Sequence, residues 1–238
     1  MPVISFANAK GGAGKTTAAL LLATEFARQG YRVAILDADP QRWITQWYDI
    51  TGPMPNLEVI SEVSISSLQG HLTSLSSQVE YVIIDLAGAR DALVTAAIGL
   101  SDHVMIPVQG CAMDARGGAQ ILDLIGLMEK TGNLKIAHSV VLTRVASMVT
   151  TKALLIIKGL LASRGVNVIN TPIAERSAFR ELFDYGGTLY TMDPQKVSNL
   201  EKARENSRAF AAEVSRLLPM RVVRSGNKNW LRLVRDAA

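Results

Sequence analysis

The sequence predicts an α/β fold, a doubly wound and mostly parallel sheet with helices on both faces. Short apolar runs alternate with longer helix-favouring stretches along almost the whole chain. Several of these runs are apolar at nearly every position, which is typical of central strands covered on both faces. The first run leads into a glycine-rich loop and then a helix-favouring stretch, the order of elements around a phosphate-binding loop.

The elements follow one another in a regular order. The first strand is predicted over 2–7, and the helix over 17–28 is terminated by Gly30. Apolar runs predict later strands over 32–36, 81–84, 103–107, 136–142 and 166–169. Helix-favouring patterns cover 42–48, 92–100, 115–129, 151–163 and 194–218. The polar stretch 61–77 has no decisive periodicity.

The composition favours one large domain. With 238 residues, of which 48% are hydrophobic, the chain can bury a substantial core without a second domain. We expect one large domain over 1–218 and a basic tail over 219–238 that belongs to it. The single Cys111 excludes an internal disulfide, and we interpret it as a small buried hydrophobic residue. No signal peptide or membrane-spanning stretch is predicted, so we expect a soluble, cytoplasmic protein.

The glycine-rich loop spans residues 8–17 and contains two lysines. Its glycines let backbone N–H groups point at phosphate oxygens, while Lys15 suits the β- and γ-phosphates and Thr16 suits Mg²⁺. Ordinary phosphate loops carry a glycine five residues before Gly14, where this chain has Ala9 followed by Lys10. This departure resembles the deviant Walker A sequence of the ParA/MinD family of dimeric ATPases.

The resemblance implies ATP and Mg²⁺ as cofactors and a homodimer in the ATP-bound state, in which Lys10 reaches the partner's nucleotide. It also implies nucleotide contacts from the loop residues Gly11, Gly12, Ala13, Gly14, Lys15, Thr16 and Thr17. The alternative is a solvated lysine-containing turn. The strand before the loop and the helix after it argue against that alternative, because they aim a positive helix N-terminus at the loop's ligand.

Acidic residues end two of the predicted strands. Asp37 and Asp39 precede Pro40 and Gln41 and resemble the D-x-D-P-Q switch segment of the family. By resemblance, Asp39 orients or activates the attacking water, and Asp37 supports Mg²⁺. A plain Asp-Pro turn is the alternative. Asp85 ends an apolar strand in the Walker B arrangement, whose carboxylate holds Mg²⁺, usually through water.

Three later positions complete the predicted nucleotide site. Gly88 is expected to contact the γ-phosphate through its backbone, although Leu86-Ala87 precede it where the family usually has a Thr-Pro or Pro-Pro pair. By resemblance, the loops at Arg144 and Pro172 enclose the base. The stretch 175–179 resembles small ParA-like proteins, including the VirC-type ATPase. Two interpretations of its Arg176 stay open: a functional residue or a surface ion pair.

Basic residues are concentrated at the end of the chain. From Arg216 onward there are six Lys or Arg residues against one Asp, whereas the whole chain carries +4. A basic tail indicates an anionic partner. The DNA-binding candidates are Arg221, Arg224, Lys228, Arg232 and Arg235. Weaker candidates are Lys196, Lys202, Arg204 and Arg208, which alternate with acidic residues as on a solvated face.

The family resemblance implies ATP-dependent dimerisation and binding to nonspecific DNA. Hydrolysis stimulated by a ParB-like or other adaptor would then position a plasmid, a transfer complex or a protein cluster near the nucleoid. No helix-turn-helix precedes the loop, as in the short ParA subclass. A MinD-like membrane role is the alternative, with Trp230, Leu231, Leu233 and Val234 at the lipid. A metabolic ligase is more remote, and one cysteine excludes a nitrogenase-type iron protein.

Overall fold

Strands and helices alternate through the part of the chain that the structure describes. The computed structural model describes residues 1–89, 91–109, 112–133, 135–145, 152–163 and 165–218. The strands are β1 (Val3–Phe6), β2 (Val33–Ala38), β3 (Leu57–Ile60), β4 (Tyr81–Leu86), β5 (His103–Gln109), β6 (His138–Val145) and β7 (Ile173–Ala174). The helices are α1 (Lys15–Arg28), α2 (Trp43–Thr51), α3 (Ile65–Leu75), α4 (Ala92–Gly99), α5 (Ala112–Gly132), α6 (Lys152–Ser163), α7 (Ser177–Tyr185) and α8 (Leu200–Leu217).

All seven strands belong to one parallel sheet in the order β3-β2-β4-β1-β5-β6-β7. The chain builds β2, β3 and β4 on one side of β1, and then continues with β5, β6 and β7 on the other side. β1 therefore lies where the direction of winding reverses. In doubly wound sheets, ligands bind beyond the carboxyl ends of the strands at this switch point. The predicted fold class is confirmed.

Each face of the sheet buries its own hydrophobic core. Ile4 and Phe6 of β1 point into a core shared with α1, α2, α7 and α8. Val3 of β1 and Ala7, which follows the strand, point into a second core that includes side chains of α3, α4 and α5. This alternation follows from the two-residue repeat of a strand. Both faces are covered, and the buried carboxylates of β2 and β4, Asp37 and Asp85, lie at the carboxyl ends of those strands.

Two predicted elements differ from the structure. The strand over 166–169 is wrong: only Val168 forms an isolated bridge, with Val140, and the edge strand is β7. The apolar side chains there pack onto the core without continuous pairing. The closing helix begins at Leu200 rather than 194, because the N–H groups of Gln195 and Lys196 are bonded to Asp193 in a turn. The sequence patterns predict no element over β3, β7 or α7.

The polar stretch 61–77 contains α3. Ser64 caps this helix, accepting from the Ser67 N–H, while the Ser67 hydroxyl accepts from the Ser64 N–H. Leu68, Leu72 and Leu75 supply the buried side of the helix. Among the described residues, no helix is both long enough and apolar enough to span a lipid bilayer.

Candidate functional site

The loop after β1 wraps around the N-terminus of α1. Gly12 has φ 77° and Gly14 has φ 91°, in the left-handed region that favours glycine. Gly14 is the residue before α1, which begins at Lys15 and has no side-chain cap. The first N–H groups of an α-helix have no partner within the helix. They form a set of donors, reinforced by the helix dipole, for an anionic ligand.

Side chains from neighbouring strands fix the loop. The Asn8 amide donates to the Pro107 carbonyl at 2.6 Å, and its oxygen accepts from the Lys10 N–H at 2.8 Å. The Thr143 hydroxyl donates to the Ala13 carbonyl at 2.8 Å. The Gln109 amide donates to the carbonyl of Gly12. The loop is therefore held by the ends of β5 and β6.

Backbone segments approach the loop too closely for larger residues. A Cβ on Gly88 would lie 2.7 Å from the Gly11 nitrogen. A Cβ on Gly117, in α5, would lie 2.2 Å from Oδ1 of Asn8. Sequence reasoning did not identify Gly117. The available signal was the pair of adjacent glycines, Gly117 and Gly118, inside a predicted helix, which indicates a close approach.

Three ionisable side chains are buried below the loop. Lys15 is 5% exposed, Asp37 1% and Asp85 0%. Asp37 and Asp85 are register partners on the neighbouring strands β2 and β4. Burial lowers the pKa of Lys15, although the charges of Asp85 and Asp39 oppose this shift. Burial raises the pKa of Asp85 to about 8, and the nearby charge of Asp37 adds to the increase.

The two buried aspartates differ in how many hydrogen bonds their carboxylate oxygens accept. Oδ2 of Asp37 accepts from the N–H and the hydroxyl of Thr45, at 2.8 and 2.7 Å, whereas its Oδ1 has no partner. Burial raises the pKa of Asp37, although these bonds lower it in part. The Thr16 hydroxyl is near enough to lower the pKa of Asp85. Neither Asp85 oxygen, however, forms a hydrogen bond of ordinary geometry within the described part of the chain.

These residues fit a magnesium ion. A buried carboxylate without a partner is costly unless a cation compensates it, and Mg²⁺ commonly takes one or two carboxylates together with water and substrate phosphates. The described residues contain no group of three or more His, Cys, Asp or Glu side chains that could hold a metal unaided. Asp85 and Thr16 would therefore hold the ion together with oxygens of the ligand, and Asp37 has one oxygen left for support.

The segment after β2 presents Asp39 to solvent. Asp39 is partly exposed, and its Oδ1 accepts from the Gln41 N–H at 2.9 Å. The Asp39 carbonyl accepts from the N–H of Arg42, which has φ 52°. Trp43 follows at the start of α2 and is 46% exposed. This turn therefore holds the Asp39 side chain at the edge of the site without burying it.

A cleft of about 800 Å³ opens above these residues. Its walls include most of the predicted site: Gly11, Gly12, Gly14, Lys15, Thr16, Thr17, Asp39, Gly88 and Arg144. The other five predicted residues of the nucleotide site are not part of this lining. Ala13, Asp37 and Asp85 are buried beneath the cleft, and Lys10 is exposed outside its lining. Pro172 is not part of the lining either; the chain enters the cleft wall one residue later, at Ile173.

Arginines and aromatic side chains form the far wall. Arg144 is exposed and has φ 50° at the irregularity between β6 and β7. The guanidinium Nε of Arg176 is buried and has no hydrogen-bond partner in the described structure. The nearby ion pair is formed instead by Arg180 and Glu175, at 4.0 Å. This arrangement favours the functional interpretation of Arg176. Sequence reasoning missed three aromatic residues of the cleft lining: Trp43, at the start of α2, and Phe179 and Phe183 of α7.

The predicted DNA contacts fall into two groups. Arg204 and Arg208 both pair with Glu201, at 3.3 and 2.9 Å. Arg208 is 40% exposed, as expected for a solvated helix face, whereas Arg204 is 20% exposed and also donates to the Leu189 carbonyl at 2.8 Å. Arg221, Arg224, Lys228, Arg232 and Arg235 lie outside the described residues, as do Cys111 and the apolar tail residues Trp230, Leu231, Leu233 and Val234.

With this geometry established, comparison with known proteins identifies the family. Residues 1–219 match the VirC1 protein family. The chain belongs to the VirC1 family. It is a ParA/MinD-like P-loop protein, as the two-lysine loop predicts.

Named relatives span most of this VirC1-family chain. It is 39% identical to Protein ParA of Rhizobium radiobacter over 218 residues, 92% of this chain and 98% of that protein. It is 28% identical to Protein virC1 of Rhizobium rhizogenes, over 78% of this chain and 82% of the relative. The structure of a McdA variant from Cyanothece, in complex with ATP, has a TM-score of 0.72 at 18% identity. That match covers 93% of this chain and 98% of the other, and it shows a shared fold.

The pKa of Asp85 predicts how the stability of the ligand-free protein depends on pH. Between its ordinary pKa of 3.8 and the folded value of about 8, the folded state holds a proton that the unfolded state releases. The contribution of Asp85 to the free energy of unfolding should therefore fall as the pH rises through this range. Asp85→Asn should remove this loss, so the variant should become more stable than the natural protein toward about pH 8.

Urea denaturation without nucleotide or metal, at about pH 5.5, 7 and 8.5, measures this difference. The contribution of Lys15 changes in the opposite direction above its lowered pKa in both proteins, and losing the Asp85 charge lowers the Lys15 pKa further in Asp85→Asn. The exposed Asp49 provides a control as Asp49→Asn. A stability difference between Asp85→Asn and the natural protein that stayed constant with pH would contradict the prediction.

Proposed function

We propose that this protein is an ATPase whose ATP-bound homodimer binds nonspecific DNA and positions a cargo. ATP and Mg²⁺ are its cofactors, and residues 1–218 form the ATPase domain, with the basic tail 219–238 as part of it. A ParB-like or other adaptor stimulates slow hydrolysis to ADP and phosphate, which releases the dimer. The cargo is a plasmid, a DNA-transfer complex or a protein cluster. The protein works in the cytoplasm, in association with the nucleoid.

The different environments of the two loop lysines carry this proposal. Lys15 is 5% exposed and lines the cleft above Asp85, whereas Lys10 is exposed outside the cleft lining. One loop thus supplies a cation to its own cleft and a second cation to the molecular surface. A surface lysine at this position suits a role in the cleft of a second copy. The identity to Protein ParA and the VirC1 family match support the same conclusion.

Each residue has a distinct task in the proposed reaction. Bound Mg²⁺–ATP supplies the phosphoryl group and charge neutralisation. The N–H groups at the start of α1 and the Lys15 ammonium bind the phosphates, while Asp85 and Thr16 hold the metal. Asp39 orients the attacking water from its exposed turn. Lys10 of a second subunit adds positive charge where negative charge develops, so dimerisation controls hydrolysis.

The two lysines should respond differently to substitution. Lys15→Ala should abolish ATP binding, because a cation is lost from the cleft. Lys10→Ala should retain most ATP binding but lose ATP-dependent dimerisation and most of the hydrolysis. Sedimentation with a nonhydrolysable ATP analogue, together with phosphate release, separates these effects. Lys202→Ala, an exposed change on α8, is the control. Normal dimerisation and turnover by Lys10→Ala would rule out its role in trans.

Asp39→Ala should bind ATP and remain in the dimeric state. Asp39 acts on the water and not on ground-state affinity, so turnover should fall at least about a hundredfold while nucleotide affinity stays near the natural value. Fluorescent-nucleotide binding and single-turnover hydrolysis measure the two quantities. If the variant failed to bind Mg²⁺–ATP, Asp39 would instead have to be a metal ligand.

Salt dependence should distinguish DNA from lipid as the bound surface. If the tail contacts DNA phosphates, the logarithm of the ATP-dependent binding constant should fall with log salt, with a slope of about −0.9 per phosphate contact. Arg→Ala changes at Arg221 or Arg232 should each reduce that slope by about one unit without altering ATP affinity. Binding to anionic liposomes that is lost on truncation at Leu218, with no DNA binding at low salt, would favour the MinD-like alternative.

A further inference from the structure

Two side chains of α8 hold the backbone of residues 170–174. The Glu213 carboxylate accepts from the N–H groups of Asn170 and Thr171, both at 2.7 Å. The Asn206 amide donates to the Pro172 carbonyl at 2.8 Å, and its oxygen accepts from the Ala174 N–H at 2.9 Å. Asn206 and Glu213 are seven residues apart, so they lie on one side of the helix, two turns from each other.

The sheet holds this segment only over a short length. β7 has only two residues, and its pairing with β6 is interrupted by an irregularity next to Arg144. Before the segment, the Ile169 N–H donates to the Val140 carbonyl, and after it the Glu175 N–H donates to the Val145 carbonyl. Between these two points, the N–H groups of Asn170, Thr171 and Ala174 all donate to α8.

Glu213 binds this segment as a charged acceptor. Partial burial raises its pKa, but the hydrogen bonds from Thr171 and Asn170 outweigh burial, and the pKa is lowered overall. Hydrogen bonds to an ionised acceptor are stronger than those between neutral groups. The Glu213 contact is therefore a strong attachment of the loop to the helix.

The segment leads directly into the cleft wall farthest from the phosphate loop. Residues 173–176 and the α7 side chain Phe179 line the cleft. β7 is three strands from β1, which at the usual strand spacing is roughly 14 Å. A ligand whose phosphates lie on the loop after β1 therefore approaches this wall with its nucleoside end.

We propose that Asn206 and Glu213 are positioning residues that hold the 170–176 wall in the geometry that binds the nucleoside part of the ligand. The proposal rests on the proposed ATP binding. Neither side chain touches the ligand; both act through the backbone that they hold. Loosening this attachment moves the nucleoside wall while the phosphate loop, fixed by Asn8, Gln109 and Thr143, stays in place.

A comparison of two ligands tests whether the nucleoside wall and the phosphate loop are held independently. The affinities of Mg²⁺–ATP and of Mg²⁺–tripolyphosphate, which has no nucleoside, are measured by calorimetry for the full chain. Asn206→Ala and Glu213→Gln should each weaken ATP binding about tenfold and leave tripolyphosphate binding within about twofold. Glu205→Gln, an exposed change of the same chemistry on α8, is the matched control and should change neither affinity.

Each outcome has a distinct meaning. ATP binding unchanged in both variants would overturn the positioning role and leave the proposed function intact. Equal losses for ATP and tripolyphosphate would also overturn it, because the effect would then be general to the fold. If the natural protein bound neither ligand, the proposed function itself would fail. Circular dichroism melting identifies any variant that does not fold, and Glu213→Gln, which preserves side-chain shape, then serves as the test.

Discussion

Burial of ionisable groups at the carboxyl ends of β2 and β4 is the constraint around which the site is built. Lys15, Asp37 and Asp85 are almost completely inaccessible, and Asp85 has no hydrogen bond of ordinary geometry within the described structure. Placing such groups away from water is unfavourable unless a ligand or ion compensates them. In the ligand-free state, the burial of these groups is therefore unfavourable for the free energy of folding. A phosphate–metal complex would make this arrangement favourable, so the same residues couple ligand binding to the stability of the fold.

The two ends of the cleft are held in different ways. The phosphate end is fixed by side chains from the strand ends and by close backbone contacts at Gly88 and Gly117, so there is little space for movement. The opposite end depends on α8 through four hydrogen bonds to one short segment. Because α8 also packs in the same core as α1, one helix connects the nucleoside wall with the helix that begins at the loop.

Exposure separates the residues proposed to act within one subunit from those proposed to act between subunits. Lys15 and Asp85 lie inside the protein, whereas Lys10 is at the surface and Asp39 is at the cleft edge. A site built in this way can bind its ligand alone, yet the proposed reaction waits for a second copy. Such an arrangement suits a switch, in which assembly and turnover are linked through a few exposed groups.

The sequence by itself determined the sheet class, the phosphate loop and the acidic residues at the carboxyl ends of β2 and β4. These depend on local patterns: apolar runs for buried strands, glycines for left-handed backbone, and carboxylates at strand ends.

The sequence did not determine the edge of the sheet. The apolar run 166–169 resembles a strand, but the edge strand is β7, where the backbone of the adjoining segment bonds to α8 about thirty to forty residues later. Likewise, the far wall with Arg176 and Phe179, and the need for glycine at position 117, follow from contacts between distant elements. Only the tertiary structure decided these features, because local periodicity contains no information about which distant side chain satisfies a given backbone group.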